Sequence, residues 1–158
     1  MSVEFKDYSV RVKNLLQNKA EQLITEGAIE IKAQAARNTR SKKGTGELKR
    51  SWSYDIDKSE LKAKIGSPLE HAIYQELGTG EWAVNKNGRK SPWYVPIGNG
   101  SNQMPEEVAN RYGFKIVYGK NGMKFAEVHG QRPERPLYRA FETSKGKIER
   151  RAKTIFGG

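Results

Sequence analysis

Asp55, Asp57, Glu60 and Lys62 form the grouping most like a metal-dependent nuclease site. Two carboxylates on one face of a strand, followed by an acid-x-lysine element, could hold a divalent cation and orient an attacking water. Their spacing argues against it. All four fall on one tight hairpin, whereas such sites draw their carboxylates from separate strands. His71 and His129 have no partner at a metal-ligand spacing. Gly44-Thr45-Gly46 and Gly78-Thr79-Gly80 lack the Gly-Lys-Ser/Thr of a phosphate loop, and neither opens a helix after a strand. The chain has no cysteine, which excludes thiolate catalysis, disulfides and thiolate zinc sites. Asn99-Gly100-Ser101 matches a glycosylation acceptor, but nothing else points to secretion. No cofactor site is legible. The chain reads as a non-enzyme, with the nuclease as its catalytic alternative.

Charge is the stronger chemical signal. The 158 residues carry 29 Lys and Arg against 18 Asp and Glu, a formal charge of +11. Such a balance favours polyanions or acidic protein partners. Five of the cations, Arg40, Lys42, Lys43, Lys49 and Arg50, lie in the segment 38–51 beside one acid, Glu47. Two glycines and several small polar residues make that segment read as a loop. These five are the candidate contacts to DNA or to a partner; a merely solvated loop is the alternative. No apolar run approaches the ~20 residues that span a bilayer, and the N-terminus lacks a signal-peptide layout. Neither membrane contact nor export is expected.

The elements that position these residues follow from periodicity. From 8 to 38, Val12, Leu15, Leu16, Ala20, Leu23, Ile24, Gly27, Ala28, Ile31 and Ala35 recur at helical steps, predicting one amphipathic helix. At 1.5 Å per residue it would be about 45 Å long. Either it lies wholly on its own sheet, or part of it packs on another subunit. Trp52, Tyr54 and Ile56, then Leu61, Ala63 and Ile65, alternate as a hairpin with one apolar face for that helix. Ser67, Pro68 and Glu70 read as the start of a short buried helix, with Leu69, Ile73 and Leu77 on one face and Gly78 ending it.

Residues 81–125 read as short strands and loops. Trp82–Val84 and Trp93–Ile97 flank an Asn87-Gly88 turn, Pro105 opens a short helix closed by Gly113, and further strands run on either side of Gly119–Gly122. The aromatic residues there are better explained as core than as base-stacking platforms. A last helix, 136–156, begins at Pro136 and carries Lys145, Lys147, Arg150, Arg151 and Lys153, which favour a helix C-terminus. The fold class is therefore α+β: a small antiparallel sheet packed by a long N-terminal and a C-terminal helix, in one domain.

Three elements in order carry a resemblance. They are Thr45-Gly46-x-Leu48-x-x-Ser51 after the long helix, Ala72-x-Tyr74-x-Glu76-x-Gly78-Thr79, and Gly130-Gln131 followed by Pro136-Leu137-x-x-Ala140. Together they resemble the tail-completion, or neck, proteins of long-tailed bacteriophages, grouped with gene product ten of phage Hong Kong ninety-seven and similar to lambda minor tail protein Z. The resemblance covers roughly Val10 to Phe156, except the longer 81–125 stretch. Leu77 and Leu137 stand where the family often has Phe. The resemblance implies a non-enzymatic virion protein made in the host cytoplasm. It also implies a homo-oligomeric ring, commonly sixfold, between tail-terminator or tail-tube proteins and head-closure or connector proteins. Its bore would pass DNA without reading sequence. Six copies would carry about +66 (6 × 11) in formal charge. Thr45, Gly46, Leu48, Ser51, Tyr74, Glu76, Gly78, Thr79, Gly130, Gln131 and Pro136 would then be structural or interface residues.

Overall fold

The computed structural model describes residues 6–40 and 45–157. Helix α1 (Ser9–Asn38) is followed by a short helix α2 (Glu47–Ser51) and a hairpin of β1 (Ser53–Asp57) and β2 (Lys62–Gly66). Helix α3 (His71–Leu77) leads through a 3-10 turn, Gly80–Trp82, to β3 (Trp93–Pro96). Then come α4 (Glu106–Tyr112), β4 (Lys115–Tyr118), β5 (Lys124–Val128) and α5 (Pro136–Phe156). The class is α+β, as the sequence predicts. The strands divide into two sheets, however: the β1–β2 hairpin, and an antiparallel sheet in the order β3-β5-β4.

The body of the protein is the pair α1 and α5. Gly27, Ala28, Ile31 and Ala35 are the buried face of α1, and Pro136, Ala140, Ser144 and Ile155 that of α5. Small residues on both sides let the helices approach closely. A Cβ at Gly27 would lie 3.5 Å from Ile148 Cδ1, an ordinary contact across the helix seam. Ion pairs flank the seam: Lys147 Nζ to Glu30 at 2.6 Å, and Arg151 Nη2 to Glu26 at 2.9 Å. Two of the five C-terminal cations thus serve the helix pair rather than the helix end alone. The Arg151 hydrogen bond, helped by one from Gln22, holds the Glu26 carboxyl down at about 2.

The core extends from this seam under the hairpin and α2. Ile31, Ala35, Leu48, Trp52, Ala72 and Ala140 form one cluster, with Ile65, Leu69 and Leu137 packed against it. Trp52 is buried with its polar handle satisfied. Its indole N–H donates to Thr39 Oγ1 at 2.8 Å, and that hydroxyl donates to the Ala35 carbonyl at 2.7 Å. The hairpin register pairs Tyr54 with Ile65 and Ile56 with Ala63, which aligns the predicted apolar face.

Residues 93–128 build a second, smaller core. Ala109, Ala126 and Val128 are buried there beneath Trp93, Val95, Ile97, Met104 and Phe114. Helix α4 ends at Gly113 in the left-handed conformation, as predicted. The stretch Trp82–Val84 is not a strand. Trp82 closes the 3-10 turn and Val84 belongs to a following turn, so Asn87-Gly88 joins no hairpin. Gly88 instead packs its backbone against Gly80, where a Cβ would strike the Gly80 carbonyl.

Glu26 makes the seam sensitive to acid. Its folded carboxyl titrates near 2 against an ordinary 4.5, so its contribution is complete above about pH 4.5 and is lost as pH falls towards 2. Urea unfolding should therefore show Glu26→Gln less stable than the wild type at neutral pH. The gap should close as pH falls through that window.

Candidate assembly surfaces and the junction that holds them

The second and third sequence motifs meet at one junction. The Glu76 carboxylate accepts the backbone N–H groups of Leu137 and Tyr138, both at 2.9 Å, and so caps the N-terminus of α5 from another helix. These are donors that α5 cannot satisfy internally, and the charge also favours the helix dipole. The Gln75 carbonyl accepts from Glu134 and Arg135, at 2.8 and 3.2 Å. Thr79 N–H donates to the Gln131 carbonyl, and Gln131 N–H donates to the Thr79 hydroxyl, both at 2.9 Å. Asn38 Nδ2, at the end of α1, donates to the Pro136 carbonyl at 3.2 Å.

Glycine is required at this crossing. Gly78 has φ +70°, and a Cβ there would lie within 2.9 Å of Gln131 O, Pro133 Cδ and Trp82 O. Gly130 has φ +105°, and its Cβ would overlap the Thr79 carbonyl. His129 clamps the adjoining turn. Its Nδ1 contacts Glu81 and its Nε2 contacts Glu127, each at 3.0 Å, and these bonds raise its pKa above 6.5. Lys115 pairs with the same Glu127 at 3.2 Å.

Helix α3 itself departs from expectation. It begins at His71, not at Pro68. Ser67 Oγ accepts from Leu69 N–H at 3.2 Å, which makes a turn ahead of the helix rather than its cap. Ala72 is its buried residue, while Ile73 and Tyr74 are exposed. The first motif is likewise structural in part. Gly46 adopts φ +74° before α2, Leu48 is buried in the main core, and the Ser51 hydroxyl bonds that of Ser67 at 2.6 Å. Glu47–Ser51, expected as loop, is α2.

Of the predicted cations, Arg40, Lys49 and Arg50 are exposed, whereas Lys42 and Lys43 lie outside the described residues. Arg40 and Lys49 open onto a cleft of about 990 Å³ between the helical body and the second core. Arg111 of α4 joins them there, a residue that sequence reasoning missed because α4 is distant in the chain. Thr45, Thr79, Gly130 and Gln131 line the same cleft, so members of all three motifs converge on it. The nuclease grouping does not assemble. Asp57 Oδ1 is occupied by the N–H groups of Ser59 and Glu60 and by the Ser59 hydroxyl, and Glu60 pairs with Lys62 at 2.6 Å. Among the described residues no group of three His, Asp or Glu is placed to hold a metal. No helix among them is long and apolar enough to cross a membrane.

A second surface lies at the far end of α1. Residues 9–18 are all exposed, including Val10 (70%), Val12 (51%), Leu15 (52%) and Leu16 (52%). The predicted apolar stripe continues over this half but nothing covers it. Tyr8, at 55% exposure, extends it.

Residues 4–78 match the family model described as "Bacteriophage HK97-gp10, putative tail-component". Over this part the chain is similar to the HK97-gp10-like family. The matched segment runs from α1 to the glycine of the junction, just under half of the chain. The third motif lies beyond it and is joined to it by Glu76, Gln75 and Thr79. No curated protein and no solved structure matches the chain significantly. The family description is that of a phage tail component.

The junction generates two stability predictions. Glu76→Ala should cost about 0.5–2 kcal/mol, the range for losing a helix cap, and lower Tm by several degrees. Gly78→Val should cost more than the roughly 1–2 kcal/mol of a left-handed L-residue, because the side chain also collides with three atoms. Gly66→Ala, where a Cβ meets open space, should stay within about 0.5 kcal/mol of the wild type. Thermal unfolding of the three variants checks all of these.

Proposed function

We propose that this HK97-gp10-like protein is a tail-completion component that assembles as a homo-oligomeric ring at the head-to-tail interface, around the path of the DNA. The observation that carries the reading is the uncovered first half of α1. A rigid helix projecting an apolar stripe into water is an assembly surface, since isolated monomers rarely leave contiguous apolar area exposed. The partners on either side would be tail-terminator or tail-tube proteins and head-closure or connector proteins. The ring does no chemistry.

The charge supports a DNA-facing bore. A formal +11 per subunit is relieved by packing against phosphates. Exposed Arg40, Lys49 and Arg50, together with Lys42 and Lys43, would contact the backbone without reading bases. The competing function is a free basic DNA-binding protein.

Light scattering and negative-stain microscopy of the purified protein separate the two. The proposal expects discrete closed oligomers; a monomer that shifts duplex DNA supports the competitor. Replacing Arg40, Lys42 and Lys43 together by Ala should leave Tm unchanged and weaken DNA retention in assembled particles. In a binding assay each lost phosphate contact should reduce the slope of log K against log salt by about 0.9. Unchanged retention and slope would make the segment a solvated surface.

A further inference from the structure

We propose that His129 is a protonation-controlled lock on the hinge between the helical body and the second core. With both ring nitrogens protonated it fixes the cleft between the two parts, and with a neutral ring it releases it. The lock holds or fails independently of the ring reading.

The two parts are joined chiefly where the chain crosses between them. The core of the helical body and the core around Ala109, Ala126 and Val128 share no residue. Among the described residues, extensive packing between helices and strands stays within one part or the other. The chain passes outward at 78–84 and returns at 128–131. Backbone bonds pin this crossing: Thr79 N–H to the Gln131 carbonyl at 2.9 Å, Glu81 N–H to the His129 carbonyl at 3.1 Å, and Val84 N–H to the Leu77 carbonyl at 2.9 Å. Two short segments at element ends, between separately packed parts, are the form of a hinge. Val128 and Gly130, on either side of His129, both line the cleft.

The imidazole of His129 ties the two crossing segments together. Its Nδ1 lies 3.0 Å from Glu81 Oε1 and its Nε2 3.0 Å from Glu127 Oε1. A carboxylate only accepts, and a neutral imidazole carries a single N–H. Both contacts are hydrogen bonds only in the imidazolium. On deprotonation one ring nitrogen turns a lone pair towards a carboxylate, and Glu81 and Glu127 lose the charge between them. Glu127 keeps Lys115, whose Nζ is 3.2 Å from its Oε2, so the acid set free is Glu81 of the outgoing segment. The other cations near the hinge have partners of their own. Arg132 stacks on the Trp82 ring at 3.8 Å, and Arg89 lies over Trp93 at 5.8 Å. The His129 side chain is 46% exposed, so its proton exchanges freely with solvent. Because the two carboxylates raise its pKa above 6.5, the tie is complete below about pH 6.5 and is lost as pH rises through the raised value.

Two measurements test the lock. The chain has two histidines, so nitrogen NMR of the wild type and of His71→Gln assigns the His129 ring. The ring should carry both protons at pH 6 and titrate above 6.5. The absence of cysteine allows spin labels at Lys49→Cys in α2 and Arg111→Cys in α4, on the two sides of the cleft, diluted with unlabelled protein. Pulsed electron resonance should give one narrow distance at pH 6. The distribution should broaden or lengthen with the same midpoint as the ring titration. His129→Gln should abolish that step. A ring that titrates at or below 6.5 overturns the proposal. A ring that titrates high while the distances stay unchanged also overturns it, leaving His129 a local clamp. A step that survives in His129→Gln overturns it in favour of another group.

Discussion

The Glu76 carboxylate is the interaction on which the architecture depends. It joins residues 61 apart in sequence (137 − 76) and caps the helix that packs along α1. Without it, α5 would begin with orphan donors at a half-buried site. With it, the entry of α5 is held to the end of α3, and Asn38 ties the same point to the end of α1. Three helix ends meet there. The glycines at 78 and 130 follow from that crowding, since backbone crosses backbone where no Cβ fits.

This junction also sets the cleft. The chain leaves it at Gly78, builds the second core from β3, α4, β4 and β5, and returns at Gly130. Two bonds between Thr79 and Gln131, one backbone to backbone and one to the Thr79 hydroxyl, join the outgoing and returning segments. The second core therefore hangs beside the helical body, attached at its base and held by the His129 clamp, with a groove between them. Partial burial along α1 begins at Lys19 and full burial at Gly27, which leaves its first turns free of the fold. The uncovered first turns of α1 and the groove are thus the two surfaces that the fold leaves unfilled.

Under the proposed reading, a virion joint has to be strong between subunits and indifferent to the sequence passing through it. Apolar helix contact would supply the first requirement, and phosphate-directed lysine and arginine the second. The acidic grouping on the hairpin illustrates the difference between composition and site. Asp57 accepts from Ser59 and from the Glu60 backbone N–H, and Glu60 pairs with Lys62, so the group serves the turn.

Much of the framework was determined by the sequence alone. The long helix, the apolar face of the hairpin, the α4 boundaries and the start of α5 at Pro136 all follow from local periodicity and caps, which act over a few residues. The first motif, and the second as far as Gly78, lie within the residues that match the family model. What only the tertiary structure decided is where each surface goes. Periodicity cannot say that Val12, Leu15 and Leu16 lie uncovered while Ile31 and Ala35 are buried, because both sets share one stripe and differ only in whether α5 reaches them. It cannot tell that Trp82–Val84 turns instead of pairing, because the turn is set by backbone bonds from Trp82 to Thr79 and from Val84 to Leu77 at the junction. Nor can it assign Glu76: a carboxylate in a short helix gains its role only when the first turn of a distant helix arrives within 2.9 Å.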